Sequence, residues 1–261
     1  MKTILFIWRY IIYFFNAKTK HSAQAPFLYE FITQVINKND NDRNSKLIEQ
    51  LRKELCQSKE IIKITDYGAG SHINKSKNRL IKDIAKNSAK NSKFGKLLYR
   101  VTKFYSPKNI VELGTSLGIS TLYLAKAKQS SNVYTFEGCP ETSKIALKNF
   151  NRMKANNITC ILGDFKDTIK KELEKINSVD LVFIDGNHQK EATISYFEQC
   201  LKYSNNNTIF IFDDIHWSKG MENAWMYIKS HHRTTLTIDL FYIGIVFLKS
   251  ELSKENYIIR F

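Results

Sequence analysis

At 261 residues, with 43% hydrophobic and 13% aromatic content, the chain can bury a full core, and one domain of about 150 residues plus an extension accounts for its length. Its four cysteines (Cys56, Cys139, Cys160, Cys200) form no C-x-x-C, and no histidine pairs stand at metal-finger spacing. This argues against a zinc finger or a disulfide framework and makes a reducing, cytoplasmic setting the default. The formal charge of +15 is lopsided: residues 1–106 carry 21 Lys+Arg against 8 Asp+Glu, or +13, and residues 107–261 carry 19 against 17, or +2.

The chain opens on an apolar run, Ile4 to Phe15, that is too short for a ~20-residue membrane span and contains Arg9. Arg9 and the poor cleavage site Asn16-Ala17-Lys18 also argue against a signal peptide. The run is expected to be a helix docked on the protein's own core, the alternative being an interfacial helix with peripheral membrane contact, Trp8, Tyr10, Tyr13 and Phe14 lying among Lys2, Arg9, Lys18 and Lys20. Residues 21–60 follow a helical period at Phe27, Phe31 and Val35 and again at Leu47, Leu51 and Leu55, with a polar break from Asn37 to Asn44. Ile61 to Ser71 contains Asp66-x-Gly68-x-Gly70, a rival ligand loop, but the polar, basic residues after it make it a loop near a site rather than a pocket. Lys82 to Tyr105 is expected to be a basic helix, ended by Ser106-Pro107. Residues 1–106 therefore form a basic, mostly helical extension or lid ahead of a domain at 107–261. Its charge suits nucleic acid, an anionic membrane surface or an acidic substrate, or is simply a solvated Lys- and Asn-rich surface; nothing in its spacing singles out nucleic acid.

Asn109 to Ala127 organises the rest. An apolar run (Ile110, Val111, Leu113) passes through Gly114 and Gly118 into apolar residues at helical spacing (Ile119, Leu122, Tyr123), which predicts strand, tight turn and helix. A helix start offers free N–H groups and a positive dipole end, and Gly114 permits close approach to backbone. The loop Glu112-Leu113-Gly114-Thr115-Ser116-Leu117-Gly118 is E-x-G-x-x-x-G rather than the G-x-G-x-x-G of dinucleotide sites, so a nicotinamide-dependent oxidoreductase takes second place. The loop resembles motif I of the Rossmann-like S-adenosylmethionine-dependent methyltransferases, and the resemblance implies that Gly114 and Gly118 lie against the methionine part of that cofactor, with Glu112, Thr115 and Ser116 of the loop and Asp185 beyond it as further cofactor-binding residues.

Strand and helix alternate from here, which predicts a doubly wound parallel sheet, seven-stranded if the resemblance holds. Asn132 to Phe136 ends at Glu137, 25 positions after Glu112 (137 − 112), where an acid can accept from both ribose hydroxyls. Ile158 to Leu162 ends at Gly163-Asp164, which resembles the position near the adenine amino group in that family.

Val179 to Ile184 ends in Asp185-Gly186-Asn187-His188, and Thr208 to Phe212 ends in Asp213-Asp214-Ile215-His216-Trp217. Ligands bind outside the carboxyl ends of strands in such sheets, so these acids should face the crevice of the glycine loop, where a divalent cation would relieve their repulsion. Spacings of 28 (213 − 185) and 29 (214 − 185) resemble the cation-dependent catechol-type O-methyltransferases. Asp214 stands where that family has Asn, and His188 where it often has Lys; D-G-N-H followed by D-D-I-H-W-S is similar to the bacterial group that includes macrolide-sugar O-methyltransferases. The resemblance implies magnesium on Asp185, Asp213 and Asp214; such a cation would lower the pKa of the hydroxyl of a small-molecule or glycan acceptor, and His188 or His216, with or without it, would take the proton. Helix-capping aspartates and surface histidines remain the alternative.

Residues 234–238 and 243–248 lie close enough to form an antiparallel terminal hairpin, 256–261 are expected to add an edge strand, and His231-His232, with no acid nearby in sequence, reads as a surface loop. A different class also stays open: a cofactor-regulated binding protein whose basic segment holds nucleic acid or an anionic membrane.

Overall fold

Near-continuous apolar runs in the central strands, such as residues 179–184 and 208–212, require the large sheet to be covered on both faces. The computed structural model describes residues 2–19, 25–39, 42–65, 77–87 and 92–261. Ahead of the sheet come helices α1 (Lys2–Asn16), α2 (Pro26–Phe31), which runs into a π-helical turn at Ile32–Ile36, and α3 (Arg43–Leu55). A small antiparallel pair, β1 (Ile61–Lys63) and β2 (Asn78–Leu80), is followed by α4 (Ile81–Asn87) and α5 (Ser92–Tyr105). The single helix expected over Lys82 to Tyr105 is thus two, and the rival loop Asp66 to Gly70 lies outside the described residues.

The main sheet uses β3 (Asn109–Leu113), β4 (Asn132–Glu137), β5 (Ile158–Leu162), β6 (Val179–Ile184), β7 (Ser204–Asp213), β8 (Leu236–Asp239), β9 (Ile243–Phe247) and β10 (Glu255–Ile258). Its order is β10-β8-β9-β7-β6-β3-β4-β5. The strands from β5 to β7 are parallel, and β9 enters antiparallel between β7 and β8, so the terminal hairpin stands as expected. The seven strands of the expected sheet are joined by an eighth, the edge strand β10, parallel to β8. Helices α6 (Ile119–Ala127), α7 (Pro140–Arg152), α8 (Phe165–Ile176), α9 (Lys190–Leu201) and α10 (Lys219–Ser230) cover the sheet.

Alternation along β7 shows how the two faces are filled. Ile209 and Ile211 join Leu28, Phe31, Leu97, Leu98 and Val101 in one core, while Phe210 and Phe212 join Phe197, Trp225 and Ile228 in the other. Helices α2 and α5 of the basic segment therefore close one face of the sheet. Arg100 fixes this junction from within, its guanidinium donating to the carbonyls of Val35 (2.5 Å) and Ile36 (3.2 Å) that the π-helical turn leaves open.

Helix α1 docks through one side only. Tyr13 is buried and its hydroxyl donates to the Ile259 carbonyl (2.6 Å). Arg9, which looked like an interruption of the apolar run, is an anchor: it pairs with Glu222 (2.9 Å) and donates to the His216 carbonyl (3.2 Å). Among the described residues no helix is long and apolar enough to cross a membrane, and all four cysteines are free thiols.

Candidate active site

The chain builds β3, β4 and β5 outward in one direction and then returns to lay β6 and β7 on the other side of β3, so the crevice opens where β3 and β6 part. The turn after β3 is held tightly there. Gly114 adopts φ +110, and a Cβ at that position would lie 2.3 Å from the Asp185 carbonyl oxygen, so no side chain fits. Gly118 (φ +79) caps the N-terminus of α6, where a Cβ would meet the Phe150 ring at 2.4 Å. Both glycines are thus required by packing, and the N-terminus of α6 carries no side-chain cap.

The two acids beside this loop differ in kind. Glu137, at the end of β4, accepts from the Ser116 N–H (2.8 Å) through one oxygen and from the Cys139 N–H (2.8 Å) through the other, which ties the loop to the end of the next strand. Glu112 is wholly buried beneath the turn. It accepts from the hydroxyls of Thr121 and Thr135, and Thr135 in turn meets the Thr115 hydroxyl at 2.6 Å. Burial raises its carboxyl to about 7, against the pull of these hydroxyl bonds. Sequence reasoning set Glu112 among the cofactor ligands and missed Thr135; the parallel register that places Thr135 opposite Glu112 is a property of the sheet. Glu112 braces the loop from below.

Gly163 (φ +144) donates its N–H to the Glu137 carbonyl (2.9 Å), and Asp164 is the N-cap of α8, accepting from the Lys166 N–H (3.0 Å). One carboxylate oxygen of Asp164 is thereby engaged in the fold.

Across the crevice, Asp185 follows β6 and Asp213 ends β7. Among the described residues, Asp185, His188 and Asp213 form a group whose ligand atoms all lie within 4.8 Å of one another. Asp213 is buried, and His188 Nε2 stands 3.8 Å from Asp185 Oδ1 with 28% of its side chain exposed. The expected trio of Asp185, Asp213 and Asp214 is not this group. Asp214 takes a left-handed backbone (φ +54), its carbonyl accepts the Trp217 N–H (3.0 Å), and its charge acts on Tyr242. The turn that follows β7 sends successive side chains apart, which spacing along the chain does not reveal.

His216 also stands outside the group. Its Nε2 meets Asp239 (2.8 Å), its Nδ1 is 3.7 Å from Glu222, and the ring stacks on Phe241 at 5.3 Å. Asp239 accepts as well from the Trp225 indole N–H (3.3 Å) and the Phe241 N–H (2.8 Å), so His216 belongs to a network binding the β7 turn to the hairpin and α10. His231, expected at the surface with no acid nearby, instead packs edge-on to Phe197 (5.3 Å) with Glu198 at 3.4 Å.

The strand order, the glycine turn at the switch point and the appended hairpin define the Rossmann-like, class I methyltransferase fold. Residues 111–215 match the family described as a methyltransferase domain. A catechol O-methyltransferase of Niastella koreensis is 29% identical over 124 residues, 46% of this chain and 55% of the relative, so the match spans about half the length of the relative. Two solved structures share the fold: an O-methyltransferase of Streptomyces achromogenes in complex with SAM (17% identity, TM-score 0.57, covering 85% of this chain and 95% of the other) and an SAH-bound methyltransferase of Podospora anserina (15%, 0.58, 82% and 100%).

Proposed function

We propose that the protein is an S-adenosylmethionine-dependent O-methyltransferase acting on a hydroxyl of a small molecule, a glycan being the larger acceptor of the same chemistry. One observation carries the reading: a glycine turn that excludes side chains lies directly against the backbone of Asp185, whose own side chain meets His188 and Asp213. A nucleotide-type cradle and a cluster of titratable groups thus share one crevice. S-adenosylmethionine supplies the methyl group: an acceptor oxygen lone pair forms the O–C bond, the C–S electron pair returns to sulfur, and the hydroxyl proton leaves.

The chain's own groups divide that work. Gly114, Thr115, Ser116 and Gly118 offer backbone to the methionine end, Glu137 and the Gly163-Asp164 turn lie toward the nucleoside end, and Glu112 is a positioning residue beneath them. Asp185 and Asp213, whose carboxylates would otherwise repel, would hold a divalent cation such as Mg2+, which would supply positive charge to lower the acceptor hydroxyl's pKa. His188, more exposed than either acid, is the group placed to accept the proton and pass it to water. Residues 107–261 form the cofactor-binding unit. Residues 61–65 and 77–87 are the lid side of the extension: Ile62, Ile81 and Ile84 pack with Leu117 of the glycine loop.

Calorimetry with S-adenosylhomocysteine, S-adenosylmethionine and NAD tests the cofactor: binding of the first two and not NAD is expected, and NAD-selective binding would sink the proposal. Titration of Mg2+ and Mn2+ into the Asp185→Ala and wild-type proteins tests the cation. His188→Gln is expected to keep cation affinity while lowering the rate of methyl transfer; loss of cation affinity instead would make His188 a ligand.

A further inference from the structure

We propose that helix α1 seats the protein on an anionic lipid surface. The helix is apolar on both sides. Phe6, Arg9, Tyr10 and Tyr13 face the fold, whereas Ile7, Trp8, Ile11, Ile12 and Phe15 fall on the opposite arc at 100° per residue and are exposed, Trp8 at 61% and Phe15 at 81%, with Phe14 exposed at its edge. A surface helix of a water-soluble domain normally turns charged or polar residues outward; among the described side chains the outward arc of α1 carries none. At 15 residues the helix is about 22 Å long, short of the ~30 Å hydrocarbon core, so it suits a position in the plane of the interface rather than across it.

Charge decides between a lipid surface and a second copy of this chain. The Arg260 guanidinium lies 4.1 Å over the Phe14 ring and donates to the Phe14 carbonyl (3.2 Å), and Lys18, two residues past the helix, stands 5.8 Å over Tyr257. Two such faces brought together would oppose like charge, while anionic headgroups would neutralise it as the apolar arc enters the acyl boundary. Trp and Tyr are the side chains that favour this boundary, and the patch continues into them. Phe6 meets Trp217 (6.1 Å) and Tyr242 (6.0 Å), exposed at 45% and 38%. The Trp217 N–H donates to the Asp214 carbonyl (3.0 Å) and Tyr242 feels the Asp214 charge, so the patch runs to the turn that follows β7. One consequence rests on the methyltransferase reading: an acceptor entering past this turn would be an amphiphile whose hydroxyl lies at the bilayer interface.

Flotation with vesicles of phosphatidylcholine alone and of phosphatidylcholine with phosphatidylglycerol tests the proposal on the full chain. Binding to the anionic vesicles is expected, weakened by salt and reduced at least ~10-fold by Trp8→Glu with Phe15→Glu, with Trp8→Ala and Phe15→Ala as the milder pair if the first does not fold. Overturning results are no binding to either vesicle, equal binding to both, or anionic binding that neither pair reduces. A wild-type dimer in light scattering that the variant dissociates, without vesicle binding, overturns it in favour of self-association. S-adenosylhomocysteine calorimetry on the same preparation keeps the two readings apart. Cofactor binding without vesicle binding removes only the membrane inference, and vesicle binding without cofactor binding removes only the methyltransferase reading.

Discussion

The two sides of the crevice are made of different material. On the β3–β5 side, backbone does the work: glycines with positive φ, an α6 N-terminus without a side-chain cap, and acids that hold loops in place. On the β6–β7 side, three titratable side chains from two separate strand ends converge. A site of backbone and glycine is specified by local sequence, because the turn must form whatever the neighbours do. A site of convergent side chains is specified only when the strands carrying them are adjacent and in register.

Substitution on the acceptor side should separate chemistry from binding. Asp185→Asn and Asp213→Asn are expected to lower methyl transfer by ~10²–10³-fold while leaving S-adenosylhomocysteine affinity within a few-fold, read by single-turnover kinetics and calorimetry. Equal loss of both would erase the distinction between the two sides.

Gly114→Val attacks the other side. Its φ of +110 and the 2.3 Å approach to the Asp185 carbonyl leave a side chain no room, so cofactor affinity is expected to fall on the order of 10²-fold, with a lowered melting temperature. Because that contact is also the seam between the two sides, cation affinity is a useful second readout.

Glu112 contrasts with the cluster acids across the crevice: it is sealed and acts through stability. Folding raises its carboxyl from 4.5 to about 7, so the folded protein keeps a proton that the unfolded chain releases near 4.5. The folded state therefore binds more protons across this window, and Glu112 makes stability fall as pH rises from about 4.5 to about 7, by of order 3 kcal/mol in all. Glu112→Gln should remove that slope, seen as wild-type and variant denaturation midpoints that diverge over the same window. Parallel curves would mean that the buried acid is already ionised at low pH.

The smallest effect is at Asp164. Asp164→Ala removes the α8 cap and should cost about 1 kcal/mol in urea denaturation. If S-adenosylhomocysteine affinity is unchanged, the residue is a cap alone; a parallel loss of affinity places it at the nucleoside end as well.

Much of the fold was legible in advance. The alternation of strand and helix after Asn109, the terminal hairpin and the edge strand follow from apolar periodicity and short connections, and all three stand in the structure. Legibility was poorer before Asn109. The period of α2 and α5 identified helices but not what they cover, and their place against Ile209, Ile211 and Phe247 is a fact of packing. In the site, the order of loop, Glu137, Gly163-Asp164 and strand-end aspartates could be read directly, because each lies at a strand's carboxyl end. The exchange of Asp214 for His188 in the cluster, and the diversion of His216 to Asp239, could not: both depend on the left-handed backbone at Asp214 and on a hairpin that begins more than twenty residues later.

The sequence by itself determined which segments become strands and helices and where the chain must turn, since backbone geometry and side-chain period are local. Only the tertiary structure decided which acids meet, which one is buried and protonated near neutrality, and which face of α1 is left outward. Those outcomes depend on distances between residues far apart in the chain, and on how much water each group loses when the sheet closes.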